Sequence, residues 1–456
     1  MYRRLGPVLN KFSKRRIVQA PQKCVYLPET IVTTLPNGFR VATENTGGTT
    51  ATIGVWIDAG SRYENEKNNG AAHFLEHMAF KGTPNRTRSG LELEVENIGS
   101  HLNAYTSREH TTYYAKCFSE KLDQSVDILS DILLNSNLSH KDIESERSVI
   151  LREMEEVEQN LQEVVFDLLH LEAFKGNALS LTILGPVENI NSLNQSQLRQ
   201  YIDTHYRSGR MLLAASGGVD HDVVVRLAEK YFGGLPHGDS SAEFHPATYT
   251  PCEVRRPVEG MDLCYGALVA EGTSWTHENS LPLMVVNTLL GEFDRCRVTA
   301  ANSPSRLAEK VKDDVGVQSF QSFNTCYKET GLAGIYFVAN GDSLSNLVDA
   351  VTSEWKWLAT ECDAASIERG KQNLTTNLLL MLDGSTPICE DIGRQLLCYG
   401  RRIPIPELKH RIESITVERV REVAKQVYLN AKVSATVVGD VNKWPSNAEI
   451  QEKLKR

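Results

Sequence analysis

Apolar and polar positions alternate with a period of two across "ETIVTTLPNGFRVATE", which starts at Glu29, and an Asn-Gly pair separates its two runs. That pattern predicts two strands around a tight turn. "TATIGVWIDAGSRYE", from Thr50, predicts another strand ending at Gly60. "SHLNAYTSREHTTYYAKCF", from Ser100, predicts a strand pair rich in β-branched and aromatic residues. Near residue 211 "MLLAASGGVD" reads as a buried strand, and "HDVVVRLAEKYFGGLP" after it as an amphipathic helix with its stop. Elsewhere the period is helical. "GAAHFLEHMAFKGT", residues 70–83, predicts a helix of a few turns stopped by Gly82 and Pro84. From about Asp142 to Phe174 no Gly or Pro intervenes, and the density of Glu, Leu and Val predicts one long helix.

The chain repeats itself. "SLNQSQLRQYIDTHYRSGRMLLAASGGVDH", from Ser192, aligns without gaps on "SITVERVREVAKQVYLNAKVSATVVGDVNK", from Ser414. Tyr206 falls on Tyr428, Gly217 on Gly439 and Val219 on Val441. The shared order of helix, Tyr, strand and Gly-x-Val points to an internal duplication. Two related α+β domains are therefore expected, at 24–238 and 257–456, each a mainly antiparallel sheet with helices packed on one face. The polar, Pro-containing stretch 239–256 is read as the linker.

Length agrees, since 456 residues exceed one average domain. No apolar run approaches the roughly 20 residues a membrane-spanning helix needs. Nine cysteines, an odd count without a CxxC pair, fit a reducing compartment better than a disulfide framework. The first 20 residues differ from the rest, with Arg3, Arg4, Lys11, Lys14, Arg15 and Arg16 and no acid. Leu5, Val8, Leu9 and Phe12 recur at helical spacing among them. An Arg-rich, acid-poor amphipathic start resembles a mitochondrial transit peptide, so residues 1–20 are excluded from the fold. Without them the net charge goes from −9 to −15, which argues against nucleic acid as a partner and for basic ligands.

The candidate chemistry lies in "HFLEH". Residues four apart on a helix sit about 40° apart in rotation and about 6 Å apart along the axis, so His73 and His77 can address one ion from one face. Glu76 flanks the pair, which suits a base acting on water at the metal. Two imidazoles, one carboxylate and an open position make a catalytic zinc arrangement. An isolated His-x-x-x-His is usually surface or satisfied core; the glutamate before the second histidine turns it into H-x-x-E-H, the reverse of the H-E-x-x-H motif. A third ligand is required. "ESERSVILREMEEVEQNLQEVVFDLLHLEAF" offers it, with Glu146 and Glu153 two turns apart beside Val149, Ile150 and Val157. A carboxylate next to a buried apolar face is costly unless paired or metal-bound. Physical reasoning alone leaves Glu146, Glu153 and Glu156 as rivals.

"GAAHFLEHMAFKGT", followed by Glu153 in "ERSVILREMEEVE", resembles the reversed-motif zinc peptidases, within them the branch of mitochondrial processing peptidases and bc1 core proteins. The similarity runs from about residue 28 to the C-terminus and includes "FGGLP" and "SFQSFNTCYKETGL". The resemblance implies one Zn2+ held by His73, His77 and Glu153, with Glu76 as general base and Glu146 supporting the ligands. It implies Glu163 and Asp167 as the acidic pair for an arginine before the cut, and Phe80 as the aromatic receiving the residue after it. It also implies Asn103 and Ala104 as the centre of a substrate-pairing edge strand. Its expected activity is a β-type endopeptidase removing basic N-terminal presequences in the mitochondrial matrix. The expected partner is an α subunit with a glycine-rich loop, since this chain has Gly-Gly pairs only at 47–48, 217–218 and 233–234. The alternative is a core subunit of the inner-membrane bc1 complex, peripheral on the membrane, and one protein could serve both roles.

Overall fold

The computed structural model describes residues 28–238, 244–297 and 305–455; the basic segment 1–20 lies outside them. The first sheet contains β1 (Ile31–Thr34), β2 (Arg40–Asn45), β3 (Thr50–Ile57), β4 (His101–Thr106), β5 (Thr111–Phe118) and β6 (Met211–Gly217), in the order β1-β2-β6-β3-β5-β4. The second contains β7 (Glu253–Pro257), β8 (Leu263–Glu271), β9 (Glu292–Asp294), β10 (Val317–Cys326), β11 (Gly331–Asn340) and β12 (Ser434–Gly439), in the order β7-β12-β8-β11-β10-β9. The stretch read as linker thus ends in a strand of the second sheet.

The duplication is visible strand by strand. Each sheet has one parallel pair, β2 with β6 and β7 with β12, and is otherwise antiparallel. Gly217 and Gly439 end equivalent strands at φ 111° and φ 110°. A Cβ at Gly217 would lie 2.3 Å from the Thr50 carbonyl oxygen, and one at Gly439 2.2 Å from that of Leu263. Both positions demand glycine for the same two reasons, conformation and close approach.

Each sheet carries the helices of its own half on one face, as expected, and a helix of the other half covers the opposite face. Ile53, Val55 and Ile57 of β3 face the first core, where Phe74, Leu129 and Phe232 come from the helices Ala71–Ala79, Leu122–Leu134 and His221–Phe232. On the opposite face Ala42, Trp56, Leu212 and Ala214 are covered by Cys389, Ile392 and Leu396 of the helix Ser385–Tyr399, which belongs to the second half of the chain. The second sheet reciprocates. Its own helix Leu344–Thr360 packs Val351 and Trp355 against one face. Ala267, Val269, Leu332 and Val438 on the other face are covered by Val165, Leu169 and Ala173 of Leu161–Ala173, from the first half. The halves exchange a helix. Sheets apolar on both faces need such double cover, since an open apolar face forfeits its burial.

The single long helix expected over 142–174 is two, His140–Gln159 and Leu161–Ala173. Asn160 leaves the helical region at φ −85°, ψ 91°, and its side chain accepts the Gln162 N–H to cap the second helix. An Asn side chain that replaces the lost backbone partner makes such a break inexpensive. No helix among the described residues is long and apolar enough to cross a membrane.

Candidate active site

The helix Ala71–Ala79 buries Ala71, Ala72, Phe74, Leu75, Met78 and Ala79 in the first core, which fixes its rotation. Its entry residue, Gly70, has φ 99°, and a Cβ there would lie 2.6 Å from the Leu184 carbonyl oxygen. Glu64, fully buried, takes the place of an ordinary cap. Its carboxylate accepts the N–H groups of Ala72 at 2.6 Å and Gly70 at 2.9 Å, and Asn69 Nδ2 at 2.8 Å. Burial nevertheless dominates and pushes the Glu64 carboxyl up to about 8.

With that rotation fixed, His73 and His77 face the helix His140–Gln159, and their Nε2 atoms are 3.3 Å apart. Glu153 Oε1 is 3.6 Å from His73 Nε2, and Glu153 Oε2 is 3.1 Å from His77 Nε2. Donors bonded to one tetrahedral ion at about 2.1 Å are about 3.4 Å from one another. The three groups, separated by 3.3, 3.6 and 3.1 Å, fit that figure. They form the one such group of His, Cys, Asp and Glu among the described residues. Glu156, a rival on sequence grounds, is exposed to solvent.

Behind these three residues, His77 Nδ1 is 2.9 Å from Glu146 Oε1, and the other Glu146 oxygen accepts from Lys81 Nζ at 2.6 Å. A proton on Nδ1 leaves the Nε2 lone pair for an ion, the usual device by which a carboxylate sets a ligand's tautomer. His73 Nδ1 is buried without a hydrogen-bond partner among the described residues. Burial would lower the His77 pKa, but the Glu146 and Glu153 carboxylates outweigh it and raise the pKa to about 9. Hydrogen bonds from His73 and His77 hold the Glu153 carboxyl far below the usual carboxylate range. Concentrated negative charge stabilises a cation here, and a proton competes with a metal ion for it. Glu76 stands beside the cluster, half-buried, with Oε2 accepting from Thr106 Oγ1 at 2.6 Å.

Residues 40–187 match the family described as Insulinase (Peptidase family M16), and residues 192–374 match the Peptidase M16 inactive domain. Mitochondrial-processing peptidase subunit beta of Caenorhabditis elegans is 69% identical to this chain over 100% of both. The chain belongs to peptidase family M16. The Mus musculus protein named mitochondrial-processing peptidase subunit beta is 50% identical, over 96% of this chain and 90% of that one. A chain of Complex III2 from Candida albicans, Inz-5 bound, shares the fold at a TM-score of 0.84 and 23% identity, covering 93% of this chain and 99% of that one. M16 membership makes the chain a metallopeptidase, with a divalent metal implied. His73, His77 and Glu153, which could hold that metal, lie wholly in the stretch that matches the insulinase description.

The other expected residues are not part of the His73–His77–Glu153 group. Glu163 and Asp167 sit on the helix after Asn160, not on the Glu153 helix, and no hydrogen bond or ion pair links them to the histidines. Glu163 is exposed and accepts from Asn160 Nδ2; Asp167 pairs with Arg108 at 2.6 Å. Phe80 ends the motif helix, half-buried, its ring centroid 6.5 Å from that of Tyr113. Asn103 and Ala104 lie on β4, the edge of the first sheet, where the Ala104 N–H is turned to the Asn103 side chain. Sequence reasoning missed Glu64, Lys81, Thr106 and Arg108. Lys81, four residues after His77, could have been found from helical spacing.

Proposed function

We propose that this chain is the catalytic β subunit of a mitochondrial processing peptidase, a zinc endopeptidase that removes basic presequences from imported precursors. Its place is the mitochondrial matrix, and its partner an α subunit bearing a glycine-rich loop. The observation that carries the reading is the convergence of His73, His77 and Glu153 on one point with Glu76 alongside.

His73 Nε2, His77 Nε2 and a Glu153 oxygen would hold the zinc ion. Zinc held there would polarise the scissile carbonyl and lower the pKa of a water toward about 7. Glu76 takes the proton of the attacking water and returns it to the leaving amine. Glu146 keeps the His77 imidazole in the tautomer whose Nε2 lone pair faces the cluster. The free edge of β4 receives the peptide as an added strand, centred on Asn103 and Ala104. Phe80 meets the side chain after the cut. Glu163 and Asp167 attract the arginine before it, Asp167 sharing its charge with Arg108. A body carrying −15 without its basic first 20 residues steers cationic peptides towards this edge. The likeness to a Complex III2 chain is one of fold, so it does not favour a core-subunit role over catalysis.

The test is Glu76→Gln in the chain assembled with its α partner. Zinc and presequence binding are retained, and cleavage falls by about 100-fold or more. Undiminished cleavage overturns the reading.

A further inference from the structure

Glu76 has one hydrogen-bonding partner among the described residues, Thr106. Among those residues it pairs with no lysine or arginine, unlike Glu146 nearby, which pairs with Lys81. We propose that Thr106 is the positioning residue for Glu76, fixing one carboxylate oxygen so that the other faces the ligand cluster. This rests on the reading of Glu76 as the base.

The chemistry favours a hydroxyl in that role. A glutamate side chain has three rotatable bonds, and a half-buried one on the flank of a helix is free to leave its working orientation. An arginine or lysine would hold it, but would also stabilise its charged form and weaken it as a base. A threonine hydroxyl donates one bond to Oε2 without adding charge, and Oε1 stays free for proton transfer.

A positioning residue must itself be fixed, and the structure grips the turn that follows Thr106 from both halves of the chain. It ends β4 opposite Thr111 of β5, and the turn that follows is closed by the Ser107 N–H on the His110 carbonyl at 2.8 Å. Thr111 Oγ1 donates to the Ala59 carbonyl at 2.8 Å, and the Arg62 N–H to the Arg108 carbonyl at 2.9 Å. A Cβ at Gly60 would lie 2.3 Å from the Ser107 carbonyl oxygen, so only glycine admits this contact. From the second half comes the tip of the β10–β11 hairpin. Glu109 Oε1 accepts from Arg62 at 2.6 Å and from the Lys328 N–H at 3.0 Å, while Arg62 also pairs with Glu329. Arg108 of the same turn holds Asp167. One turn thus joins the base, the acidic helix and the second half.

The experiment compares Thr106→Val and Thr106→Ser in the chain assembled with its α partner, cleaving a synthetic basic presequence peptide. Thr106→Val, nearly isosteric, lowers kcat about 10- to 100-fold with KM within about twofold. Its zinc content by mass spectrometry and its melting temperature match wild type, and Thr106→Ser recovers most of the rate. The inference is overturned if Thr106→Val keeps wild-type kcat, if its loss lies in KM, if it sheds zinc or stability, or if Thr106→Ser is equally slow. Glu76→Gln run beside them separates the two claims. If it cleaves normally, the base assignment has failed; if it is inactive while Thr106→Val is fully active, the positioning role alone has failed.

Discussion

Glu146 divides its two oxygens between His77 and Lys81, at 2.9 Å from the imidazole Nδ1 and 2.6 Å from the ammonium. The carboxylate is buried, and the hydrogen bonds from His77 and Lys81 overcome its burial to keep it below the usual carboxylate pKa. On the proposed reading, in which His77 holds the zinc ion, replacing Glu146 by Gln removes the charge that orients and strengthens that imidazole. Zinc affinity is expected to fall about 10- to 100-fold, measured by competition with a chromophoric chelator. An unchanged affinity would show that His77 needs no such support.

Glu64 supports the motif helix at a cost that depends on pH. Its carboxyl titrates at about 8 in the folded chain against an ordinary 4.5, because burial outweighs the hydrogen bonds it accepts. Between those values the folded chain keeps a proton that the unfolded chain has released. The Glu64 contribution is therefore greatest below about pH 4.5 and declines as pH rises to about 8. Glu64→Gln keeps an acceptor for the helix N–H groups but cannot ionise. The stability of wild type relative to Glu64→Gln should drop steadily from pH 5 to pH 8 in urea titrations. A flat difference would contradict it.

Gly393 lets the exchanged helix lie on Trp56, since a Cβ at that position would come 2.2 Å from the indole ring. Trp56 is buried almost completely and belongs to the packed layer under that helix. Gly393→Val cannot be absorbed by a flexible side chain there, so overpacking costs about 3 kcal/mol. The expected readout is a lowered melting temperature and a red shift of tryptophan emission. A wild-type melt would mean that the helix can lift off without penalty.

What the sequence disclosed depended on whether a feature is local. The hairpin around Asn37 and Gly38 was legible because its alternation and its turn residues sit side by side. Gly217 and Gly439 betrayed the duplication because a positive φ under a crowding carbonyl leaves no other residue a choice. Asn160 was not legible as a break, since asparagine is tolerated within helices and its capping bond appears only once the chain bends. The cover of each sheet by the other half was hidden too. The apolar stripe of Leu161–Ala173 looks the same whichever sheet it meets. At the site, helical spacing alone left Glu146, Glu153 and Glu156 as rivals, and only the rotation of the folded helix turns the first two to the histidines and Glu156 to water. Thr106 lies 30 residues from Glu76, and nothing in the spacing of either announces their contact.

The exchange of helices between the halves sets an order of assembly. A chain emerging or crossing a membrane N-terminus first completes β1 to β6 long before Ser385–Tyr399 arrives. Until then Trp56, Leu212 and Ala214 form a bare apolar surface. Leu161–Ala173 meanwhile waits for a sheet that has not been made. The two halves must therefore finish folding together, and the newborn first half is a natural client for a chaperone that shields exposed β-sheet.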